Sequence, residues 1–378
     1  LRVLFTASGS HLGGSTMAMM NLMIGLRKLG AEPLLLGTEP TQIYRPYFER
    51  LEEVGIKIVY WGRGAVGASY WAGLLGAATK IVLKGSVDVL HAHTPKEGMV
   101  LSLVSRLTGR PLVYTFEGDP LLELRFQGRR LYDEALHRQF LREIVRTSAA
   151  LAACSRWLAS RLRENYGIDA EPIPNPVDVE RFSQPGTPMG RTIVTLARLV
   201  EVKGLRTLLR AAEKVIRVDG EATFLVAGDG PMRETLERES ARLEGRFRLL
   251  GFHRRPQELL KTCYMLVMPS LYEPFGMPAA EAGAASKPVV ASRTGGLQEI
   301  VEDGSTGLLH RPGDHEDLAE KVLRLLGDPK LAAEMGRRGR ERVMRLFSPE
   351  VVAAKYLKLY EEVFRGLPAP PSRPRRTS

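Results

Sequence analysis

Two carboxylates and two cations stand at spacings that could grip a polar ligand. Glu273 precedes Gly276-Met277-Pro278, which opens an Ala-rich helix, and Glu281 follows about one turn into that helix. One acid therefore sits just before a helix start and the other just inside it, in a corner where unpaired backbone N–H groups and the helix dipole favour a partner with negative charge. Both can accept hydrogen bonds from sugar or ribose hydroxyls, although two isolated glutamates in such places could equally do no more than cap and solvate a helix. Arg198 and Lys203 straddle a second strand-to-helix corner, in Ala197-Arg198-Leu199-Val200-Glu201-Val202-Lys203-Gly204. They can aim at one anion, the guanidinium as a fork for two phosphate oxygens and the ammonium as a point charge beside it.

Other stretches carry weaker chemistry. The turn Ala7 to Thr16 is glycine-rich and ends in Gly13-Gly14, a geometry that lets backbone N–H groups approach a phosphate. A tight turn that needs positive φ would use glycine as well. From Gly9 to Thr16 the spacing is that of a P-loop, but Ser15 stands where its lysine belongs, and Gly-x-Gly-x-x-Gly is absent from this turn. Triphosphate hydrolysis and dinucleotide-dependent hydride transfer are both disfavoured. His91 and His93 share one face of a strand, yet no Asp or Cys stands at ligand spacing and no metal is assigned. Glu117 follows the strand beginning at Pro111 and could accept a hydrogen bond or a proton, or only cap its loop. Gly228-Asp229-Gly230-Pro231 and Thr294-Gly295-Gly296-Leu297 each follow a strand, and the amides of the second could hold a phosphate and a sugar.

These groups need a frame to bring them together, and the hydrophobic pattern supplies one. Strand patterns at Leu1 to Thr6, Glu32 to Gly37, Ile56 to Tyr60, Val87 to His91, Pro111 to Phe116 and Ala149 to Ala153 alternate with helical patterns at Met17 to Leu29, Ile43 to Val54 and Tyr70 to Lys84. Such alternation predicts βαβ units and a parallel sheet. Ser183 to Gly190 is rich in Pro, Gly and Ser and reads as a linker. Beyond it, strands at Thr192 to Leu196, Ala222 to Ala227, Met265 to Met268 and Pro288 to Ala291 repeat the scheme, with helices from Leu205, Pro256, Asp314 and Pro329 and a last one from Ser348 through Phe364.

Several of these blocks, in order, resemble the retaining glycosyltransferases of family 4 (group 1), which have the GT-B fold. Glu273-Pro274-Phe275-Gly276-Met277-Pro278-Ala279-Ala280-Glu281 looks like that family's Glu-x7-Glu motif, and Arg-Leu-Val-x-x-Lys-Gly from Arg198 is similar to its diphosphate-binding pair. The similarity spans nearly the whole chain and is densest from Arg191 to Pro312. It implies an α/β protein of two Rossmann-like domains with parallel sheets facing a cleft: an acceptor-side domain over 1–182, a linker over 183–190, a nucleotide-sugar-binding domain over 191–348, a final helix over 349–365 that crosses back, and a mobile tail over 366–378. It further implies that Arg198 and Lys203 take the diphosphate charge, that Glu281 holds the ribose and Glu273 the donor sugar, and that Phe275, Gly276, Met277, Gly295, Gly296 and Leu297 supply backbone contacts. Gly13 and Gly14 would face the diphosphate and the acceptor, Gly228 and Gly230 would lie beside the base, and His93 would border the cleft. Glu117 departs from the pattern, which commonly has histidine there to hold the sugar or the acceptor. Pro176 stands where glycine is usual and stiffens the crossing.

Composition is compatible with that picture. The 378 residues are ample for two domains, and 44% hydrophobic with 26% charged residues is an ordinary globular balance. The net charge of +11 and a pI near 9.7 favour a polyanionic partner such as nucleotide phosphates or an anionic membrane surface. Arg125, Arg129, Arg130, Arg138, Arg142, Arg146, Arg156, Arg161 and Arg163 stud one stretch, ordinarily as a solvated face, alternatively as a seat for an anionic lipid or polyphosphate acceptor. Two cysteines suit a reducing cytosol, and no apolar run approaches a membrane span, so any membrane contact is peripheral. The expected reaction is transfer of a hexosyl group from a nucleotide-diphosphate sugar (UDP-, GDP- or ADP-linked) to a glycan, lipid or small-molecule acceptor, without a cofactor or metal. A sugar-nucleotide epimerase or a phosphorylase of the same fold is the alternative. A nucleic-acid-binding protein fits less well, because no basic patch is interleaved with stacking aromatics.

Overall fold

A computed structural model describes residues 1–9, 13–62, 68–122, 131–183, 186 and 189–366. Arg125, Arg129 and Arg130, four linker positions (184, 185, 187 and 188) and the tail from Pro368 lie outside the described residues. Two parallel sheets organise the chain. The first takes the order β3-β2-β1-β4-β5-β6-β7, from β1 (Arg2–Ala7), β2 (Glu32–Gly37), β3 (Lys57–Tyr60), β4 (Val89–Ala92), β5 (Leu112–Phe116), β6 (Ala150–Ala153) and β7 (Glu171–Pro172). The second takes the order β10-β9-β8-β11-β12-β13, from β8 (Thr192–Leu196), β9 (Thr223–Ala227), β10 (Phe247–Gly251), β11 (Met265–Met268), β12 (Val289–Ser292) and β13 (Gly307–His310). The winding is the same in both, and the order reverses between β1 and β4 and again between β8 and β11. Ligands of open α/β sheets lie outside the strand ends at such reversals.

The central strands are buried along their whole length, as in β4, β5, β11 and β12, because helices cover both faces of a parallel sheet. Several elements go beyond the sequence reading: the helix Pro95–Thr108 and strands β7, β10 and β13. Thr94 caps the first of these by accepting from Glu97 N, Pro95 occupies its first turn, and Gly109 closes it in the left-handed conformation at φ 68°.

The segment that leads out of the first half is held to its own half at two points and to the second half at one. Asn21 Nδ2 donates to Pro176 O at 3.0 Å, Val177 N donates to Phe347 O at 2.8 Å, and Arg50 pairs with Asp178. One apolar cluster runs from Leu4 and Phe116 through Val177 to Phe275 and Phe347, so the halves share a core there. The last helix, Pro349–Arg365, packs on the helix Gly14–Lys28, and a side chain at Gly25 would collide with Pro349 O. Its buried Tyr356 and Tyr360 reach the first sheet, where their hydroxyls meet Thr115 Oγ1 at 2.9 Å and His91 Nδ1 at 2.6 Å.

Candidate active site

At the second reversal, β8 ends at Leu196 and the chain turns through Arg198 to a short 3-10 turn, Glu201–Lys203, before the helix Leu205–Val218. Beside it β11 ends at Met268 and the loop Pro269 to Gly276 follows, leading into the helix Met277–Ala284. Lys203 Nζ donates to Glu273 Oε2 at 2.7 Å, and Ser270 Oγ donates to the same oxygen at 3.2 Å. Both side chains of the ion pair are mostly buried, at 17% and 10% exposure. Arg198, on the same loop as Lys203, is exposed, and its guanidinium makes no hydrogen bond or ion pair with a described residue. Glu281 is half-buried on the inside of its helix; burial pushes its carboxyl up to about 7, against the pull of the Arg181 guanidinium and with the push of Asp178.

Glycines let the loops of this corner stack. Gly295 sits at φ 54° against the loop of Glu273, whose carbonyl accepts from Gly296 N at 2.9 Å, and a side chain at Gly295 would overlap that carbonyl. Leu297 is fully buried and packs where Gly276 lacks a side chain. Gly228 and Gly230 press on the carbonyls of Ala197 and Leu199, which ties the loop after β9 to the loop of Arg198. Phe275 turns inward onto Phe347 with ring centroids 5.6 Å apart. Gly13 is extended (φ −108°) and Gly14 begins its helix exposed, so neither needs glycine for its backbone angles. Gly14 instead leaves room opposite Met277, whose Cγ lies 3.7 Å from where a Cβ would stand.

The first sheet contributes a second polar group. His93, just past β4, meets Glu117 Oε1 through Nδ1 at 2.8 Å, and Asn175 Nδ2 donates to Glu117 Oε2 at 2.7 Å. Both oxygens of Glu117 are thereby fixed, and His93 Nε2 is shut from solvent with no partner among the described residues. With Nδ1 donating to the carboxylate, Nε2 of the neutral ring is an acceptor. Asn175 begins the asparagine-to-aspartate stretch that the resemblance marks as the exit into the linker, but its contact with Glu117 was not read from sequence. His91 has another use: its Nε2 meets Thr115 Oγ1 at 2.8 Å and its Nδ1 meets Tyr360, so both nitrogens are occupied in anchoring the last helix. Burial, reinforced by His93, holds it well below the usual histidine range and keeps it neutral. The histidine pair therefore shares a face, its rings 4.3 Å apart, without both nitrogen sets being free for a metal.

Strand ends from both sheets meet around the loop of Glu273. Tyr272 OH accepts from Asp119 N at 2.8 Å after β5, Pro274 O accepts from Ser155 Oγ at 2.6 Å after β6, and Met277 faces Gly14 after β1. Two doubly wound parallel sheets whose C-terminal edges converge on one cation-and-carboxylate corner are the architecture of the GT-B fold.

The sequence model for Glycosyltransferase Family 4 matches residues 12–181, and that for Glycosyl transferases group 1 matches residues 178–342. A phosphatidyl-myo-inositol mannosyltransferase of Mycolicibacterium smegmatis is 31% identical over 296 residues, covering 75% of this chain and 73% of that protein. A 2-deoxystreptamine N-acetyl-D-glucosaminyltransferase of Niallia circulans is 26% identical over 315 residues, covering 76% and 80%. Among solved structures, the Anabaena protein Alr3699/HepE in complex with UDP and glucose superposes with a TM-score of 0.77 at 21% identity, covering 96% of this chain and 99% of that one. The chain belongs to glycosyltransferase family 4.

Proposed function

We propose that the chain moves a hexosyl group from a nucleotide-diphosphate sugar to an acceptor hydroxyl with retention of anomeric configuration. The observation that carries this reading is the buried Lys203–Glu273 pair at the β8/β11 reversal, with unpaired Arg198 beside it. Breaking the anomeric C–O bond moves charge onto the diphosphate, and a cation placed where that charge develops is worth about 3 kcal/mol of barrier. Arg198 and Lys203 fill that role and supply the positive charge that a metal supplies elsewhere, so activity should survive chelator. On donor binding Lys203 shares itself between Glu273 and the phosphate, and Glu273 keeps an oxygen for sugar hydroxyls. Glu281 accepts from the ribose. The acceptor oxygen attacks from the face that the diphosphate leaves, its proton passes to the departing phosphate oxygen, and no protein nucleophile takes part. Glu117, held by His93 and Asn175, is placed to bind the transferring sugar or the acceptor.

The Anabaena structures hold UDP and UDP-glucose, which supports a uridine donor as the first to test. No helix among the described residues is long and apolar enough to cross a membrane. Cys154 and Cys263, both buried and outside any disulfide, support a cytosolic reaction, and the basic surface supports peripheral contact with an anionic membrane. A thermal-shift panel of UDP-, GDP- and ADP-sugars tests the donor: a ligand at 100 times its Kd adds about 2.7 kcal/mol to stability. Lys203→Ala should abolish the shift, and NMR of the product should show the donor's anomeric configuration. A shift that survives in Lys203→Ala, or an inverted product, removes the reading.

A further inference from the structure

Two buried polar atoms beside the first sheet are left over by everything above. Glu97 Oε2 and Trp61 Nε1 are both shut from solvent and have no hydrogen-bond partner among the described residues. Glu97 lies in the first turn of the helix Pro95–Thr108 and is 7% exposed. Thr94-Pro95-Lys96-Glu97 has the spacing at which an acid reaches back to the backbone N–H of the cap residue. That return bond is not made: Thr94 Oγ1 accepts from Glu97 N at 3.4 Å, while the carboxylate turns to Tyr70, whose hydroxyl donates to Oε1 at 3.5 Å. Tyr70 meets Trp61 at 5.2 Å and Trp71 at 5.7 Å between ring centroids, and Lys96 Nζ stands 5.9 Å over the Trp71 ring.

The cluster lies on the C-terminal edge of the sheet. Trp61 follows β3, Tyr70 and Trp71 open the next helix, and Glu97 opens the helix after β4, four residues beyond His93. An orphaned buried acid costs stability, and burial pushes Glu97 up to about 7, so a purely structural position gains by losing it. Trp61, Tyr70 and Trp71 are only half-buried, so a ligand reaches the acid by displacing side chains rather than backbone.

We infer that Glu97, Trp61, Tyr70 and Trp71 form the acceptor subsite, and that the acceptor presents a polyhydroxylated ring, a sugar or cyclitol, rather than the end of an aliphatic chain. A ring hydroxyl donates to Glu97 and accepts from an indole N–H, which satisfies both orphans, and the apolar C–H face of the ring lies on the aromatics. A hydroxyl serves Glu97 in either protonation state, whereas an ammonium serves only the ionised form. The inference rests on the glycosyl-transfer reading and names its acceptor class.

Tryptophan fluorescence tests it, because two of the three tryptophans of the chain are in the cluster. The full chain, with and without UDP, is titrated with myo-inositol, with the methyl α-glycosides of glucose, mannose, galactose and N-acetylglucosamine, and with 1-octanol. At least one ring polyol should give a saturable change and 1-octanol none, and Glu97→Gln and Trp61→Phe should each weaken that binding about tenfold, the effect of one lost hydrogen bond to a buried group. A second measurement needs no variant: the polyol should protect Trp61 and Trp71, but not Trp157, from N-bromosuccinimide. No saturable polyol response, an equal response to 1-octanol, unchanged affinity in folded variants, or equal oxidation with and without polyol each overturns the inference. The UDP thermal shift of Glu97→Gln should match that of the unsubstituted chain. If UDP gives no shift in either, the donor reading falls while the polyol result stands by itself.

Discussion

Ser155 Oγ donates a 2.6 Å hydrogen bond to the carbonyl of Pro274, joining the end of β6 to the loop that carries Glu273. The same hydroxyl caps its own helix, Arg156–Tyr166, by accepting from Leu158 N, and Glu299 of the second half accepts from Arg156 N at 3.2 Å and Trp157 N at 2.9 Å. A carboxylate from one half thus neutralises a helix N-terminus in the other, an interaction worth about 1 kcal/mol. Glu299→Gln should loosen this closed arrangement: small-angle scattering of the unliganded chain should show a larger radius of gyration, and KM for the donor should rise several-fold with kcat little changed. An unchanged radius would show that the latch does not set the spacing of the halves.

Lys203 and Glu273 are both largely buried, so each is the other's main compensation. Removing one partner of such a pair leaves an uncompensated charge and costs about 3 kcal/mol, whereas removing both costs much less. In a denaturation series, Lys203→Met should therefore be the most destabilised, and Lys203→Met with Glu273→Leu should recover most of the loss while remaining inactive. Additive losses would mean that the two side chains do not depend on each other.

The resemblance puts Lys203 and Glu273 on one donor, but their direct contact was not read from sequence. Arg198, Lys203, Glu273 and Glu281 could each be placed at a strand-to-helix corner, because apolar runs such as Met265 to Met268 stop sharply at proline or glycine. Which corner touches which depends on strand order, and the reversal between β8 and β11 is a long-range choice that no local pattern records. The contacts of Asn175, Ser155 and Glu299 were missed on the same ground, since their partners lie 58, 119 and about 140 residues away. The helix Pro95–Thr108 was missed differently. Its cap residues Thr94, Pro95 and Gly109 are plain, but Leu103 and Leu107 are apolar on the exposed side and blur the helical period.

Glu97 gives the stability a pH dependence of known sign. Its carboxyl is pushed by burial from the ordinary 4.5 up to about 7, so the folded chain holds this proton more tightly than the unfolded chain. Its contribution to stability is therefore fullest below about 4.5 and falls by about 3 kcal/mol as pH rises to about 7, beyond which this group adds no further change. Urea unfolding at pH 5 and pH 8 should show that fall, and Glu97→Gln should flatten it by raising stability at pH 8. The flattening is partial, because Glu281 is shifted in the same direction.

Glu281 ties the same chemistry to nucleotide recognition. Its carboxyl is pushed up to about 7 by burial, so it gains charge as pH rises through that range and becomes the stronger hydrogen-bond acceptor. If it holds the ribose, the preference for UDP over 2′-deoxy-UDP should grow between pH 6 and pH 8, because the diphosphate titrates alike in both ligands and cancels in the ratio. Calorimetric Kd values for the two nucleotides should show that ratio rising about threefold or more, for a charge-assisted bond replacing a neutral one. Glu281→Gln should make it small and independent of pH. A ratio that climbs equally in Glu281→Gln assigns the ribose contact to another residue.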